Sequence, residues 1–367
     1  MTKLSQNTTE ARIWRSPDQV LEELSSVAVF GTGQCGVALT QLLEQRGISV
    51  CYYLDNAADK QGTEFFNKPV HSPEVAYRDQ PVVLVASFWA REIAGQLSKH
   101  GIEYYDFSFS TDYNRWKNHF SPDHFNAKKA LDVGTKFLEG ADKQAFFGCV
   151  RYRQTMDPLS LQPSEFDHYF HPSVSPTGGD WFVDGGAWQG DTVEYLKNKF
   201  GSRIGIHCFE PDTLNRKVLS QMVHDRQYED VVISSLGLWS HSETLRFLKS
   251  EDVGHSMQAR VDNRAGESLV FEVEAKDLDS YCIETDLKPD FIKLDVEGAE
   301  SQVMMGSERV LQECQPRLAI SAYHEPEDLW SLMVRIYETN PRYRFYFGHH
   351  SQNLFESVVY ARVEDGS

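Results

Sequence analysis

The sequence has no long apolar run. None of its 367 residues lie in a stretch that approaches the roughly 20 apolar residues a membrane-spanning helix needs. The longest such run, around Val82 to Ala90, reads as a buried strand. The opening residues, MTKLSQNTTEARIW, lack the apolar core of a secretory signal. Cysteine is sparse. Cys35, Cys51, Cys149, Cys208, Cys282 and Cys314 are scattered and form no CxxC pair. That argues against a cysteine-built zinc site and against a disulfide framework, so a reduced, cytoplasmic setting is expected. Basic residues are in deficit too. Thirty-six Lys and Arg face 54 Asp and Glu, a formal net charge of −18. Such a chain is poorly equipped to neutralise phosphate backbones or to settle on an anionic membrane surface. Neither nucleic acid nor membrane is expected as a partner, and oligomeric state is left open. No internal repeat or low-complexity tract stands out.

What is present is a globular chain of ordinary make-up, 41% hydrophobic and 25% charged, which is enough apolar residue for real cores. At roughly 150 residues per domain its length suggests two. Residues 1–24 read as a leader with a short helix. From 25 to 112 strands and helices alternate, which implies a parallel sheet with right-handed crossovers. The apolar run Val27–Phe30 ends in GTGQCG, with Gly31, Gly33 and Gly36. A helical stretch from Val37 to Gln45 stops at Gly47, and Ile48–Leu54 reads as a strand that ends at Asp55. Val82–Ala86 reads as a third strand and Arg91–Lys99 as a helix. This is a small Rossmann-like α/β domain. Residues 113–177 lose the rhythm. Ala127 to Phe147 has helical spacing, and 155–178 is rich in Pro and Ser, so this part reads as a helical connector.

A second alternating unit is expected over 178–367. WFVDGG, Ile204–Phe209, Val231–Leu236, Phe291–Leu294 and Arg317–Ala322 read as strands. Helices are expected at Asp191–Asn198, Thr213–Met222, Ala299–Cys314 and Pro326–Glu338. Thr244–Leu248 and Ser268–Glu274 read as a two-stranded excursion, and Arg342–Phe347 with Ser357–Ala361 as a closing hairpin. FVDGGAWQGDT puts Asp184, Gly185, Gly186 and Gly190 where a strand gives way to a helix. In open α/β sheets ligands bind outside the carboxyl ends of the strands, and glycines there let them approach the backbone. Glu210, 24 residues after Gly186, closes the next strand and suits ribose hydroxyls. Nicotinamide enzymes use similar geometry. In DFIKLDVEGAE, Asp295 and Glu297 fall at a strand's carboxyl end, where carboxylates favour a cationic ligand such as a sulfonium by Coulomb attraction. They would be odd neighbours for a pyrophosphate.

Taken in order, FVDGGAWQGDT, CFEPD, LGLWS, DLDSY, DFIKLDVEGAE, AISAYHEP and HHSQNLFESVVYA closely resemble the FkbM methyltransferase family over about residues 178–363. The resemblance implies a class I methyltransferase fold, a seven-stranded Rossmann-like sheet with an antiparallel terminal hairpin. It implies S-adenosyl-L-methionine as donor and transfer to a hydroxyl oxygen. Carried over by position, Asp184, Gly185, Gly186 and Gly190 shape the cofactor turn, Glu210 holds the ribose, and the stretch from Leu236 and Gly237 to Leu238 lies near adenine. Asp295 and Glu297 face the methionine part and the acceptor. GLWSHS departs from the family's usual run at the adenine contact. A hydroxyl acceptor has to lose a proton, and Glu297, Asp295 and His324 are the candidate bases. His349 and His350 are candidates for the acceptor side. Asp295, Glu297 and His324 have no known metal-ligand spacing, and no metal is expected. The acceptor is expected to be a sugar, glycan or small metabolite.

GTGQCG followed by Asp55, 22 residues beyond Gly33, fits a dinucleotide fingerprint and marks a possible second nucleotide site. YYLDNAADKQGTEFFNKPVHSPE resembles the Rossmann-like N-terminal modules of sugar-modifying enzymes, with Asn67-Lys68-Pro69-Val70 in place of a glycine-containing turn. Two other functions compete: an NAD(P)-dependent oxidoreductase working at GTGQCG, and a non-catalytic nucleotide-binding scaffold. The first lacks a Tyr-x-x-x-Lys-like pair nearby, and the second would predict damaged motifs after residue 178.

Overall fold

Short apolar runs, fully buried at Val83–Val85, Gly205–Phe209 and Phe291–Leu294 (β5, β8 and β13 of the two sheets), become central parallel strands, as expected where helices cover both faces of a sheet. The computed structural model describes residues 14–248 and 270–364. Its packing divides the chain into two units. The first is Met1–Ser164 with His349–Glu356, and the second is Glu165–Gly348 with Ser357–Ser367. The stretch expected as a connector, 113–177, is therefore shared, with the division at Ser164. No helix among the described residues is long and apolar enough to cross a membrane.

In the first unit, β1 (Ser26–Phe30), β2 (Ser49–Leu54), β3 (Glu64–Phe65), β4 (Lys68–His71), β5 (Val83–Val85) and β6 (Tyr104–Asp106) form one sheet in the order β3-β4-β2-β1-β5-β6. All pairings are parallel except β3 with β4. Helix α1 (Pro17–Glu22) begins with a capping box at Ser16 and Gln19. Helix α2 (Gln34–Arg46) joins β1 to β2 and ends at Gly47, whose φ is 70°. α3 (Glu74–Asp79) and α4 (Ala90–Ser98) lead into and out of β5, and α5 (Tyr113–Trp116) follows β6. The single helical stretch expected from Ala127 is two helices, α6 (Ala127–Phe137) and α7 (Gly140–Thr155). Leu138 and Glu139 are extended between them. The helices cross closely, since a Cβ on Gly134 would lie 2.7 Å from the Phe146 ring. β6 and α3 were not anticipated; both are too short to show a period.

In the second unit, β7 (Trp181–Gly185), α8 (Asp191–Phe200), β8 (Gly205–Phe209), α9 (Thr213–Asp225) and β9 (Val231–Ser234) form the first run of crossovers. β10 (Gly237–Leu238), β11 (Glu243–Leu248) and β12 (Val270–Lys276) make a separate small sheet in the order β10-β12-β11. In it Leu245 faces Val273. The expected start of the second excursion strand, at Ser268, lies outside the described residues. Then come α10 (Leu278–Thr285), β13 (Phe291–Leu294), α11 (Glu300–Met305), α12 (Glu308–Glu313), β14 (Arg317–Ser321), α13 (Asp328–Thr339), β15 (Tyr343–His349) and β16 (Ser357–Val363). The helix expected over Ala299–Cys314 is broken at Gly306, which packs so closely that a Cβ there would be 2.3 Å from the Trp239 carbonyl oxygen.

The main sheet runs β15-β16-β14-β13-β7-β8-β9. Five strands are parallel and β16 is antiparallel to β14. The chain leaves β7 toward β8 and β9, then returns to build β13 and β14 on the other side. The carboxyl ends of β7 and β13 therefore flank the switch point. Phe182 and Phe291 stack across these two strands, their ring centres 4.9 Å apart. Asp184 and Lys293 are register partners on the same pair, and both are almost fully buried. Lys293 Nζ lies 3.0 Å from Asp184 Oδ1 and donates to the Gly186 carbonyl at 2.7 Å. Removing one partner of a buried pair leaves an uncompensated charge, which costs about 3–5 kcal/mol. Lys293→Met is expected to lower the urea midpoint of this unit accordingly, and Asp184→Leu with Lys293→Met to recover most of the loss. A single variant as stable as the wild type would remove the pair from the supports of the fold.

Candidate active site

The turn after β7 is shaped by contacts that leave no room for side chains. Gly186 has φ 76°, and a Cβ on it would stand 1.9 Å from the Asp295 carbonyl oxygen. Only glycine lets the β7 and β13 turns approach so closely. The Gly186 and Ala187 amides donate to the Phe209 carbonyl at 3.0 and 3.2 Å, tying the turn to the end of β8. Glu210 follows directly and is buried. One of its oxygens accepts from the Trp188 amide at 2.7 Å and the other from the Asp212 amide at 2.9 Å. Burial pushes its carboxyl up to about 7, against the pull of these two donors. Leu238 packs over Gly185, its Cδ1 3.1 Å from where a Cβ would be. Leu236 and Gly237 thus lead into the same place, with the Leu236 amide held by Ser234 Oγ at 3.2 Å. Asp184 lies beneath the turn. Burial lifts its carboxyl to about 6 despite Lys293. Its oxygens meet no well-directed hydrogen-bond donor among the described residues.

Across the crevice, β13 delivers Asp295. Its side chain is about a quarter exposed and accepts from the Tyr169 hydroxyl at 2.9 Å and the Tyr323 hydroxyl at 3.3 Å. Burial raises this carboxyl's pKa, but the charges of His324 and Lys293 outweigh it and hold it low. Glu297 has φ 56°, a left-handed backbone that costs a residue with a Cβ about 1–3 kcal/mol. The loop holding it is pinned by Glu300, whose two oxygens accept from the Val296 amide at 2.9 Å and the Gly298 amide at 3.0 Å.

His324 sits at the centre and is 1% exposed. Its Nδ1 is 2.8 Å from Glu300 Oε1. Its Nε2 faces Asp295 Oδ1 at 3.5 Å and Glu297 Oε2 at 3.7 Å. Burial alone would strip its proton, but the three carboxylates, Glu300 foremost, drive its pKa up to about 10. The ring is an imidazolium at neutral pH and has no lone pair to accept a proton. Asp295, Glu300 and His324 each place one ligand atom within 4.8 Å of the others. Glu300 and Asp295 lie at opposite nitrogens of the ring. The ring itself is the cation between them.

The FkbM methyltransferase domain family matches residues 184–356. Those residues form an FkbM methyltransferase domain. No curated protein matches the chain. A crystal structure of methyltransferase FkbM from Methylobacillus flagellatus KT shares 18% identity, covers 98% of this chain and 99% of its own, and superposes with a TM-score of 0.72. That likeness shows a shared fold through both units. Two more distant structures each reach a TM-score of 0.34, too low to build on. An rRNA methylase from Streptococcus thermophilus is 12% identical over 51% of this chain and 89% of that one. Fibrillarin from Aeropyrum pernix, with natively bound S-adenosyl-L-methionine, is 12% identical over 50% and 67%. The class I fold expected from the sequence is the observed one.

Within the FkbM domain the structure brings Asp295, Glu297 and His324 together, and gathers Asp184, Gly185, Gly186, Gly190 and Glu210 at the facing turn. Gly190, with φ 95°, caps α8, and its backbone packs on Leu219 and Met222. Three residues were missed by the sequence reading. Glu300 is the third acid of DVEGAE, and its amide contacts follow only from the loop's conformation. Tyr169 comes from a Pro- and Ser-rich stretch; the aromatic run Tyr169-Phe170-His171 was the available signal. Tyr323 precedes the histidine that drew notice. His349 and His350 belong to the first unit's second segment, where the His349 carbonyl accepts from the Ser164 amide at 2.7 Å. In the first unit, Asp55 accepts from Thr32 Oγ1 at 2.6 Å, the Thr32 amide at 3.2 Å, Lys60 Nζ at 3.1 Å and the Ala57 amide at 3.0 Å. It braces the Gly31–Gly33 turn.

The His324 charge has a consequence for stability. Its folded pKa of about 10 lies above the ordinary 6.5. The stabilisation is complete below the lower value and is lost as pH rises toward the higher one. The thermal midpoint is expected to fall between pH 7 and 10, and to fall less in His324→Gln. Equal slopes in the two proteins would mean that the ring is neutral in the folded state.

Proposed function

We propose that the FkbM domain transfers the methyl group of S-adenosyl-L-methionine to a hydroxyl of a sugar, glycan or small metabolite. The observation that carries this reading is the pairing of two half-open carboxylates, Asp295 and Glu297, with the glycine turn of β7 at the switch point. The residues present suit the donor. Asp184 is a buried carboxylate with unused acceptor capacity beneath the turn, and Gly186 leaves backbone bare where a side chain would stand. Glu210 keeps one lone pair on each oxygen for ribose hydroxyls, and the Leu236–Gly237 stretch would border the adenine. When bound, S-adenosyl-L-methionine supplies an electrophilic methyl group on a cationic sulfonium.

The chain's own residues do the rest. Asp295 and Glu297 provide a negative field that favours a cation in the crevice. Tyr169 and Tyr323 fix the direction of Asp295. Glu297, the more exposed of the two at 36% of its side chain, is the base that takes the acceptor's proton. Its loop is held rigid by Glu300, and His324 acts as a fixed cation that keeps the two carboxylates ionised and convergent. Much of the rate then comes from positioning. The net charge of −18 supports a small or glycan acceptor over nucleic acid, and likewise opposes an anionic membrane. Six free cysteines suit a reducing, cytoplasmic setting.

Calorimetric titration with S-adenosyl-L-methionine and S-adenosylhomocysteine tests the donor. One site per chain is expected, with affinity that rises from pH 6 to 8 as Glu210 ionises and with no such rise in Glu210→Gln. The absence of binding by either compound would sink the reading. Glu297→Gln is expected to keep S-adenosylhomocysteine affinity within twofold, to weaken the cationic S-adenosyl-L-methionine more, and to lower turnover on any accepted hydroxyl compound by about 100-fold, the lower end of what a general base contributes. Full turnover would exclude Glu297 as the base.

A further inference from the structure

The first unit carries a cavity that the methyltransferase reading does not use. Its sheet has its own switch point: the chain leaves β1 toward β2 and β4, then returns to build β5 and β6 on the other side. At the carboxyl ends of β1 and β5 lies a cavity of about 270 Å³. Gly31, Asp55, Asn56, Ser87, Trp89 and Glu92 line it. Gly31, with φ 113°, forms part of its wall as bare backbone; a Cβ there would come within 2.3 Å of the Ala86 carbonyl oxygen.

The chemistry of the lining narrows the ligand. Two carboxylates and no basic side chain line the cavity, so the part of the ligand that enters is uncharged or cationic rather than a phosphate. Lys60, the nearest cation to Asp55, is already paired with it at 3.1 Å. Asp55 Oδ2 takes three donors, whereas Oδ1 takes only the Ala57 amide, which leaves Oδ1 able to accept a hydroxyl. The Asn56 amide and the Glu92 carboxylate add polar contacts. Trp89 is 62% exposed beside them, an indole face open for stacking. The size sets a limit. Pockets for drug-sized ligands span about 300–1,000 Å³, so this cavity of about 270 Å³ has room for one ring system with its sugar.

We propose that the first unit binds one nucleoside, free or as the nucleoside end of a nucleotide, with its base on Trp89 and its ribose hydroxyls on Asp55 and Glu92. Any phosphates stay outside the acid-lined cavity. The site is separate from that of the methyl donor.

The test is calorimetric titration of the full chain with uridine, adenosine, UDP and NADH, alone and with saturating S-adenosylhomocysteine. That compound removes the donor site as a place for adenosine to bind. At least one nucleoside or UDP is expected to bind once per chain in its presence. Trp89→Ala and Glu92→Gln, both at exposed side chains, are expected to weaken this binding at least tenfold while leaving the thermal midpoint and S-adenosylhomocysteine affinity unchanged. The proposal falls if none of the four binds at millimolar concentration, or if both variants bind as the wild type does. NADH binding more than tenfold tighter than any single nucleoside would overturn it in favour of a dinucleotide site. Should S-adenosylhomocysteine itself fail to bind, uridine and UDP would still report on the first unit, so the two readings fail separately.

Discussion

The buried ammonium of Lys293 is the constraint on which the second unit depends. It stands between two central strands, pairs with a carboxylate on one of them, and donates to the carbonyl of the turn that follows. A lysine this deep is tolerated only because its charge is answered and its hydrogens are used. The answer fixes more than a charge. It sets the position of Gly186, whose backbone then lies against the carbonyl of Asp295, and so couples the two turns that face the crevice. The neighbouring strands inherit that placement through their registers.

Around this fixed point the unit concentrates acid. Asp295, Glu297 and Glu300 surround one imidazolium, and Asp184 and Asp191 add to the field at Lys293. Carboxylates in such number would repel one another and take up protons, but two buried cations keep them ionised. A region of this kind prefers a positively charged guest and disfavours phosphate. The strained backbone at Glu297 is held by the hydrogen bonds that the flanking Val296 and Gly298 amides donate to Glu300, so the cost of that geometry is offset within the same short loop.

Much of this was legible in the sequence. The five parallel strands announce themselves as short apolar runs, three of them, β7, β8 and β13, closed by glycine or an acid. Asp184, Glu210 and Asp295 stand out because each ends a strand of an open sheet. What was hidden was hidden for physical reasons. The pairing of Asp184 with Lys293 depends on strand register, which no local pattern reveals. The ionisation of His324 depends on a carboxylate 24 residues earlier in the chain. Glu300 looks like an ordinary acid in a first helical turn, and only the loop it closes shows its use. The break of the expected helix at Gly306 follows from a backbone contact with a distant strand's end. Tyr169 sits outside any periodic element, where composition alone says boundary.

The division of the chain also bears on its synthesis. Domains generally fold as they emerge, the N-terminal one first. Here the first unit is completed by His349–Glu356, which emerge only after nearly all of the second unit. The early segment is therefore short of that piece until the later unit has been made. Splitting the chain into two independently expressed halves at Ser164 would leave the first half short of eight of its own residues.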